Sequence, residues 1–311
     1  MLDINAIKKW NELRFGLVLS GGGAKGAYEA GVLRAMDELD FFDKVKVISG
    51  TSIGALNTIM LSRDDISVLT DLWNDVNFRQ VMGTPEINGT DAVVDKLKYI
   101  AENRKSMNIS DIKSSIKDEL SDIEIKPVTQ ENVRTLLENN VNIEQLRASK
   151  RDYFVCAYNR NKQLPKFFNL KNLSDEMMID AVLASSAIPH VYPPVMIRGE
   201  AFSDGGINDP ELNAQNSINT PVEPMAYYDL DAVIVVYLSD TPKLVTPERY
   251  SGTMINIIPS ESIEAVKFSG TVNFTRRAIE TKMQLGYRDA MTVLAPIMAD
   301  FLKQKPSALM S

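Results

Sequence analysis

Gly50-Thr51-Ser52-Ile53-Gly54 is a G-x-S-x-G run set between a β-rich apolar stretch and a helix-favouring one. In that context the flanking glycines allow a sharp turn that lifts a serine hydroxyl out of a sheet. The N-terminus of the following helix favours negative charge nearby, and the Ile53 N–H can help hold an oxyanion. The same residues also fit a plain helix N-cap serine after a glycine turn. Upstream, Ser20-Gly21-Gly22-Gly23-Ala24-Lys25-Gly26 exposes several backbone N–H groups with no side chain to block an approaching oxygen, as an oxyanion hole or a phosphate cradle requires.

A nucleophilic serine needs a base. His190 is the single histidine, in the proline-rich stretch Ala187-Ile188-Pro189-His190-Val191-Tyr192-Pro193-Pro194. A Ser-Asp-His order needs an acid before it, such as Asp152 or Asp180, and neither sits in a loop that marks it for the role. A carboxylate is the better candidate. Phe202-Ser203-Asp204-Gly205-Gly206 places an acid before two glycines, which permit a tight loop and close approach to a hydroxyl, although an ordinary Asp-Gly turn reads the same way.

These groups need a scaffold. Phe15 to Ser20 reads as a strand that runs into the glycine loop, and Tyr28, Val32, Ala35, Met36 and Leu39 then follow a helical period. Val45 to Ser49 reads as a second strand, followed by a turn at Gly50 and a helix from Ile53. Tyr153 to Tyr158, Lys166 to Asn169 and Ala232 to Leu238 supply further strands, the last apolar throughout and suited to burial on both faces. Alternating signals of this kind predict an α/β fold with a mostly parallel sheet covered by helices. Residues from about 83 to 150 are more polar and carry amphipathic pieces such as Ile109 to Leu120, the pattern of an insertion or cap. A long helix is expected from Ser269, to be kinked or ended by Pro296. No repeat or linker divides the 311 residues, so a single domain is expected: a core at about 15–239, the polar cap, and a C-terminal strand and helices over 240–311.

The charge balance of 34 Lys+Arg against 41 Asp+Glu, net −7, disfavours a nucleic-acid partner. Cys156 is the single cysteine, which excludes an intrachain disulfide and, with one histidine, a His/Cys metal site. No cofactor is called for. Gly21-x-Gly23-x-x-Gly26 also fits a dinucleotide fingerprint, but Ile48-Ser49-Gly50 stands where that reading wants an acid closing the second strand. Ala27 stands where a P-loop needs lysine. The first residues lack a basic stretch followed by an apolar run, and no segment approaches about 18 uninterrupted apolar residues. A soluble cytoplasmic product, free or peripheral to a membrane, is the expectation; export without a cleaved signal fits the same sequence.

Gly21-Gly22-Gly23-Ala24-Lys25-Gly26, Gly50-Thr51-Ser52-Ile53-Gly54, Ala184-Ser185-Ser186-Ala187-Ile188-Pro189 and Asp204-Gly205-Gly206 stand in one order over about Phe15 to Ser239. In that order and sheet context the chain resembles the patatin-like phospholipases. The resemblance implies a three-layer α/β/α fold related to cytosolic phospholipase A2 and a lipid acyl hydrolase of phospholipase A or lysophospholipase type, working on lipid esters at a membrane or micelle surface. It implies Ser52 as nucleophile, Asp204 as proton acceptor without histidine, and Gly21, Gly22 and Gly23 as oxyanion hole. Lys25, Gly26, Gly50, Gly54, Gly205 and Gly206 support these motifs. Two rival readings are a nucleotide-binding enzyme using Gly21 to Gly26 and a non-catalytic lipid-binding protein of the same fold. The family pattern has an N-x-P-V strand entry closely after D-G-G, whereas Asn219-Thr220-Pro221-Val222 follows a stretch from Asp209 to Ile218, which reads as an insertion.

Overall fold

The structure, a computed structural model, describes residues 10–63, 65–75, 129–207, 209, 217–264, 271 and 273–303. The expected helix at 109–120, most of the polar cap and most of the 209–218 insertion lie outside these residues.

An eight-stranded sheet forms the centre. Its strands are β1 (Phe15–Leu19), β2 (Val45–Thr51), β3 (Asp152–Asn159), β4 (Leu164–Asn169), β5 (Val195–Ile197), β6 (Glu200–Asp204), β7 (Ala232–Val236) and β8 (Met254–Ile257). They run in the order β5-β6-β3-β2-β1-β7-β8, with β4 also paired to β3. Pairings among β3, β2, β1, β7 and β8 are parallel; β4 and β6 join β3 antiparallel, and β5 joins β6 antiparallel.

The central strands are buried on both faces, and alternate side chains feed two cores. Leu17, Leu19, Ile234 and Val236 face the larger one, packed under helices α1 (Gly26–Glu38), α2 (Ile53–Met60) and α3 (Ile66–Asp75), while Val18, Val233 and Val235 face a smaller one. That smaller core is closed by Val222 and Met225, beside a 3-10 turn at Glu223–Tyr227, and by Val245. The other helices are α4 (Glu131–Asn140), α5 (Ile143–Ala148), α6 (Asp175–Ser185) and α7 (Arg276–Lys303). α1 and α7 cross closely: a Cβ at Gly31 would strike the Met283 carbonyl, and one at Gly286 the Tyr28 carbonyl.

Three local features depart from the sequence reading. α7 begins at Arg276 and not at Ser269, and it continues through Pro296. Asn219 to Val222 leads into the Glu223–Tyr227 turn before β7, so it does not open a strand directly. Asp204 ends a regular strand, β6, which pairs with the adjacent short strand β5 and with the distant β3, and the latter pairing leaves no mark on its own short sequence.

Candidate active site

β3 is the rail on which the site is assembled. One of its edges carries β4 over Phe154 to Asn159, so β2 and β6 share the other. β2 runs parallel to β3 and ends with Thr51 opposite Cys156; β6 runs antiparallel and ends with Asp204 opposite Ala157. The two strands therefore meet head-on, and the residue after Thr51 is Ser52. Registers alone bring the serine and the acid together.

Ser52 holds φ 56° and ψ −121°, a left-handed backbone that a non-glycine residue adopts at a cost of about 1–3 kcal/mol. Its neighbours show why glycine frames it. A Cβ at Gly50 would strike the Gly54 carbonyl, and one at Gly54 the Leu19 carbonyl. The Ser52 side chain makes no capping hydrogen bond to α2, so the plain N-cap role is not the one it fills. Instead its hydroxyl sits against the Asp204 carboxyl and, together with the Gly206 N–H, partly counters the effect of burial there.

Asp204 is 2% exposed. Oδ1 accepts the Gly206 N–H at 2.8 Å, while the buried Oδ2 completes no well-aligned hydrogen bond. Desolvation pushes its pKa up to about 6, against the opposing pull of Ser52 and Gly206. A carboxylate so raised is a stronger base toward a hydroxyl than an exposed one.

The glycine loop lies beside this pair. A Cβ at Gly21 would come within 3.1 Å of Ser52 Cβ, so the absent side chain is what lets the loop approach. The Gly21 N–H is spent on Asn219 O at 3.1 Å. Among the described residues the N–H groups of Gly22, Gly23 and Ile53 meet no acceptor, an arrangement that can donate to an oxygen brought beside Ser52. Gly23 has φ 58°, the one position in the loop that requires glycine for backbone reasons. A Cβ at Gly26 would meet Ile53 and Trp73, which fixes how closely α1 packs on α2 and α3. Lys25 pairs with Glu264 at 2.9 Å.

His190 stands apart from this chemistry. Its side chain is 66% exposed, and Nε2 pairs with Asp209 at 2.9 Å. The acids considered for a triad are engaged elsewhere, Asp152 accepting from the Tyr228 hydroxyl at 2.6 Å and Asp180 from Arg134.

The sequence model of one family, Patatin-like phospholipase, matches residues 17–214, which is more than half of the chain and holds the glycine loop, the Gly50 to Gly54 turn and Asp204 to Gly206. The chain belongs to the patatin-like phospholipase family. A shorter match, 47% identical over 49 residues, is to Lysophospholipase nte1 of Aspergillus terreus; it spans 16% of this chain and 3% of that protein. Among solved structures, human GIVD cytosolic phospholipase A2 bound to a methyl γ-linolenyl fluorophosphonate inhibitor is similar, with TM-score 0.51 and 12% identity. The superposition covers 97% of this chain and 61% of that one. VipD from Legionella pneumophila aligns at TM-score 0.48 and 15% identity over 95% of this chain and 72% of its own.

Four residues of this patatin-like site carry no role in the sequence reading. Ser185, inside the Ala184 to Pro189 motif, accepts the Ser52 N–H at 3.0 Å and donates to Cys156 O at 2.6 Å. Asn219 bridges the loops: its carbonyl accepts the Gly21 N–H, its Nδ2 donates to Gly21 O at 3.1 Å, and its Oδ1 fills the space beside Gly206. Glu29 is wholly buried on α1, where Asn57 Nδ2 donates to it at 2.7 Å and burial raises its pKa well above the usual range. Lys282 of α7 is 5% exposed and donates to Ala24 O at 3.2 Å; burial lowers its pKa to about 8, with Lys25 adding repulsion. Only their spatial neighbours reveal them. Among the described residues no cluster of His, Cys, Asp and Glu fits a metal ion, and no helix is long and apolar enough to cross a membrane.

Proposed function

We propose that this patatin-like chain is a lipid acyl hydrolase in which Ser52 is the nucleophile and Asp204 its base. The head-on meeting of β2 and β6 on β3, which sets the Ser52 hydroxyl against a buried carboxylate, is the observation that carries the reading. Ser52 Oγ attacks the ester carbonyl carbon as Asp204 takes the hydroxyl proton, and the carbonyl oxygen collects negative charge. The N–H groups of Gly22, Gly23 and Ile53 receive that charge, while Gly21 contributes the space beside Ser52. On collapse the alcohol leaves with the proton from Asp204, giving an acyl-Ser52 ester. Asp204 then draws a proton from water, hydroxide equivalent adds to the acyl carbon, and the fatty acid departs as Ser52 regains its hydrogen.

The substrate class is a phospholipid or lysophospholipid ester presented at a membrane or micelle surface, in line with the family. A fluorophosphonate probe and a short-chain p-nitrophenyl ester test the mechanism together. The parent is expected to be labelled at Ser52 and to hydrolyse the ester, and Ser52→Ala to do neither. Parental hydrolysis by Ser52→Ala would remove the assignment.

A further inference from the structure

The sheet does not stop at the catalytic level. β3 continues past Ala157 to Asn159 and turns through 160–163 into β4, while β6 descends from Glu200, fed by a turn at Arg198 and Gly199 that joins it to β5. At about 3.3 Å per residue, the four steps from Asp204 back to Glu200 carry the β5–β6 turn roughly 13 Å beyond the carboxylate. The two turns form one tip. Arg160 N–H donates to Ala201 O at 2.8 Å, Ala201 N–H donates to Asn161 Oδ1 at 2.7 Å, and Lys162 pairs with Glu200.

Resting on the acyl-hydrolase reading above, we propose that this tip is the surface by which the protein docks on anionic phospholipid membranes. Its composition differs from that of the chain. The protein carries −7 overall, yet Arg160, Lys162 and Arg198 crowd here against the single carboxylate of Glu200. Neither Arg160 nor Arg198 meets an acidic side chain among the described residues. Two exposed apolar side chains flank them, Leu164 at 54% on one face of the extension and Met196 at 58% on the other, with Val191 nearby in sequence. Basic residues around exposed apolar ones are what an anionic interface attracts.

Arg198 supports the assignment independently. It holds φ 51° and Gly199 φ 79°, so both central residues of the turn are left-handed, as in a type I′ hairpin. Asn, Asp or Gly makes that turn at lower cost than arginine, so the charge is kept against a backbone preference. The dimensions set the reach required. The headgroup layer of one leaflet is about 5–7 Å thick. A tip seated in it, reaching roughly 13 Å past Asp204, leaves the Ser52–Asp204 pair about 6–8 Å above that layer, so an ester is drawn roughly 13 Å outward along the extension to react.

The full-length Ser52→Ala protein, which cannot consume lipid, is co-sedimented with phosphatidylcholine vesicles and with vesicles that also contain phosphatidylserine. Binding is expected to favour the anionic vesicles and to weaken with added salt. Arg160→Gln with Arg198→Gln is expected to bind the anionic vesicles roughly 30-fold more weakly, from about one charge contribution lost at each position. In the otherwise unmutated protein the same pair should depress hydrolysis of vesicle lipid while leaving a soluble p-nitrophenyl ester turned over at the parental rate. Equal affinity of parent and double variant, indifference of the parent to vesicle charge, or a matching fall on the soluble ester would each overturn the proposal. If the parent hydrolyses no ester but still binds through these arginines, the docking surface stands and the acyl-hydrolase reading falls.

Discussion

The Ser52 N–H donates to Ser185 Oγ at 3.0 Å, and that hydroxyl in turn donates a hydrogen bond to Cys156 O at 2.6 Å. One side chain from the end of α6 thus ties the strained elbow to β3, the strand that also positions Asp204. Ser185 is wholly buried, so no water replaces it if it is lost.

Ser185→Ala is therefore expected to cost about 1–3 kcal/mol of stability, because it strands a buried donor and a buried acceptor. Turnover should fall about 10- to 100-fold, since loss of the tether lets the nucleophile drift from its attack position. Thermal melting and kcat measured on one preparation check both parts. A folded Ser185→Ala enzyme with parental kcat would show that the elbow holds itself.

On the proposed mechanism Asp204 links activity to pH. It serves as base only when ionised, and its pKa stands at about 6, so kcat/KM should rise through pH 6 to a plateau and fall tenfold per unit well below it. Stability runs the other way. The folded-state pKa lies above the unfolded value of about 3.9, so the native state binds the proton more tightly, and the stability this confers at low pH is lost as pH rises from about 4 to 6. Asp204→Asn should consequently lose about 10²- to 10⁴-fold in turnover and yet melt higher than the parent at pH 8, by an amount of order 3 kcal/mol or less. A variant that melts lower, or an activity profile flat across pH 6, would contradict this account.

The parts of the site that could be read from sequence are those made by neighbours along the chain. The glycine loop follows β1 directly and the elbow follows β2 directly, so strand period and turn residues announce both. The meeting of Ser52 with Asp204 is different in kind. It depends on the register of β3 against two other strands, one parallel and one antiparallel, and β6 is too short to show a period of its own. Ser185, Asn219, Glu29 and Lys282 act across separations with no local signature, Lys282 reaching Ala24 from 258 residues away. A buried lysine on an amphipathic helix looks in sequence like any solvated one.

His190→Ala should leave catalysis intact. The ring is mostly in solvent, while Asp209, with which Nε2 pairs, is buried, so loss of the pair is expected to cost stability by about 1–3 kcal/mol and not chemistry. His190 also holds φ 65°, a conformation in which glycine is better placed than alanine, so His190→Ala should melt lower than the parent and His190→Gly should recover part of the difference. The measurement is the pH–rate profile of both variants beside the parent. A step present in the parent and absent from both variants would bring the imidazole into the mechanism.

The glycine after the acid offers the sharpest structural test. Gly206 has no left-handed φ, so space alone forbids a side chain: a Cβ there would run into Asn219 Oδ1 and approach Thr51 Cγ2 at 3.2 Å. Its N–H also holds Asp204 Oδ1, so displacing the loop moves the base. Gly206→Ala is thus expected to fold with a loss of about 1–3 kcal/mol and to lose most of its turnover. Because the obstacle is a side chain, shortening it should help. Asn219→Ala alone releases the Nδ2 bond to Gly21 O and should slow the enzyme, but added to Gly206→Ala it should restore part of the lost stability. Gly54→Ala has no such remedy, since its obstacle is the Leu19 carbonyl in the central sheet, and that variant should fail to fold or melt far lower. Melting temperatures of the two single variants and the double variant close a cycle at positions 206 and 219. Simple additivity of the two losses would mean that Asn219 does not set the space beside Gly206.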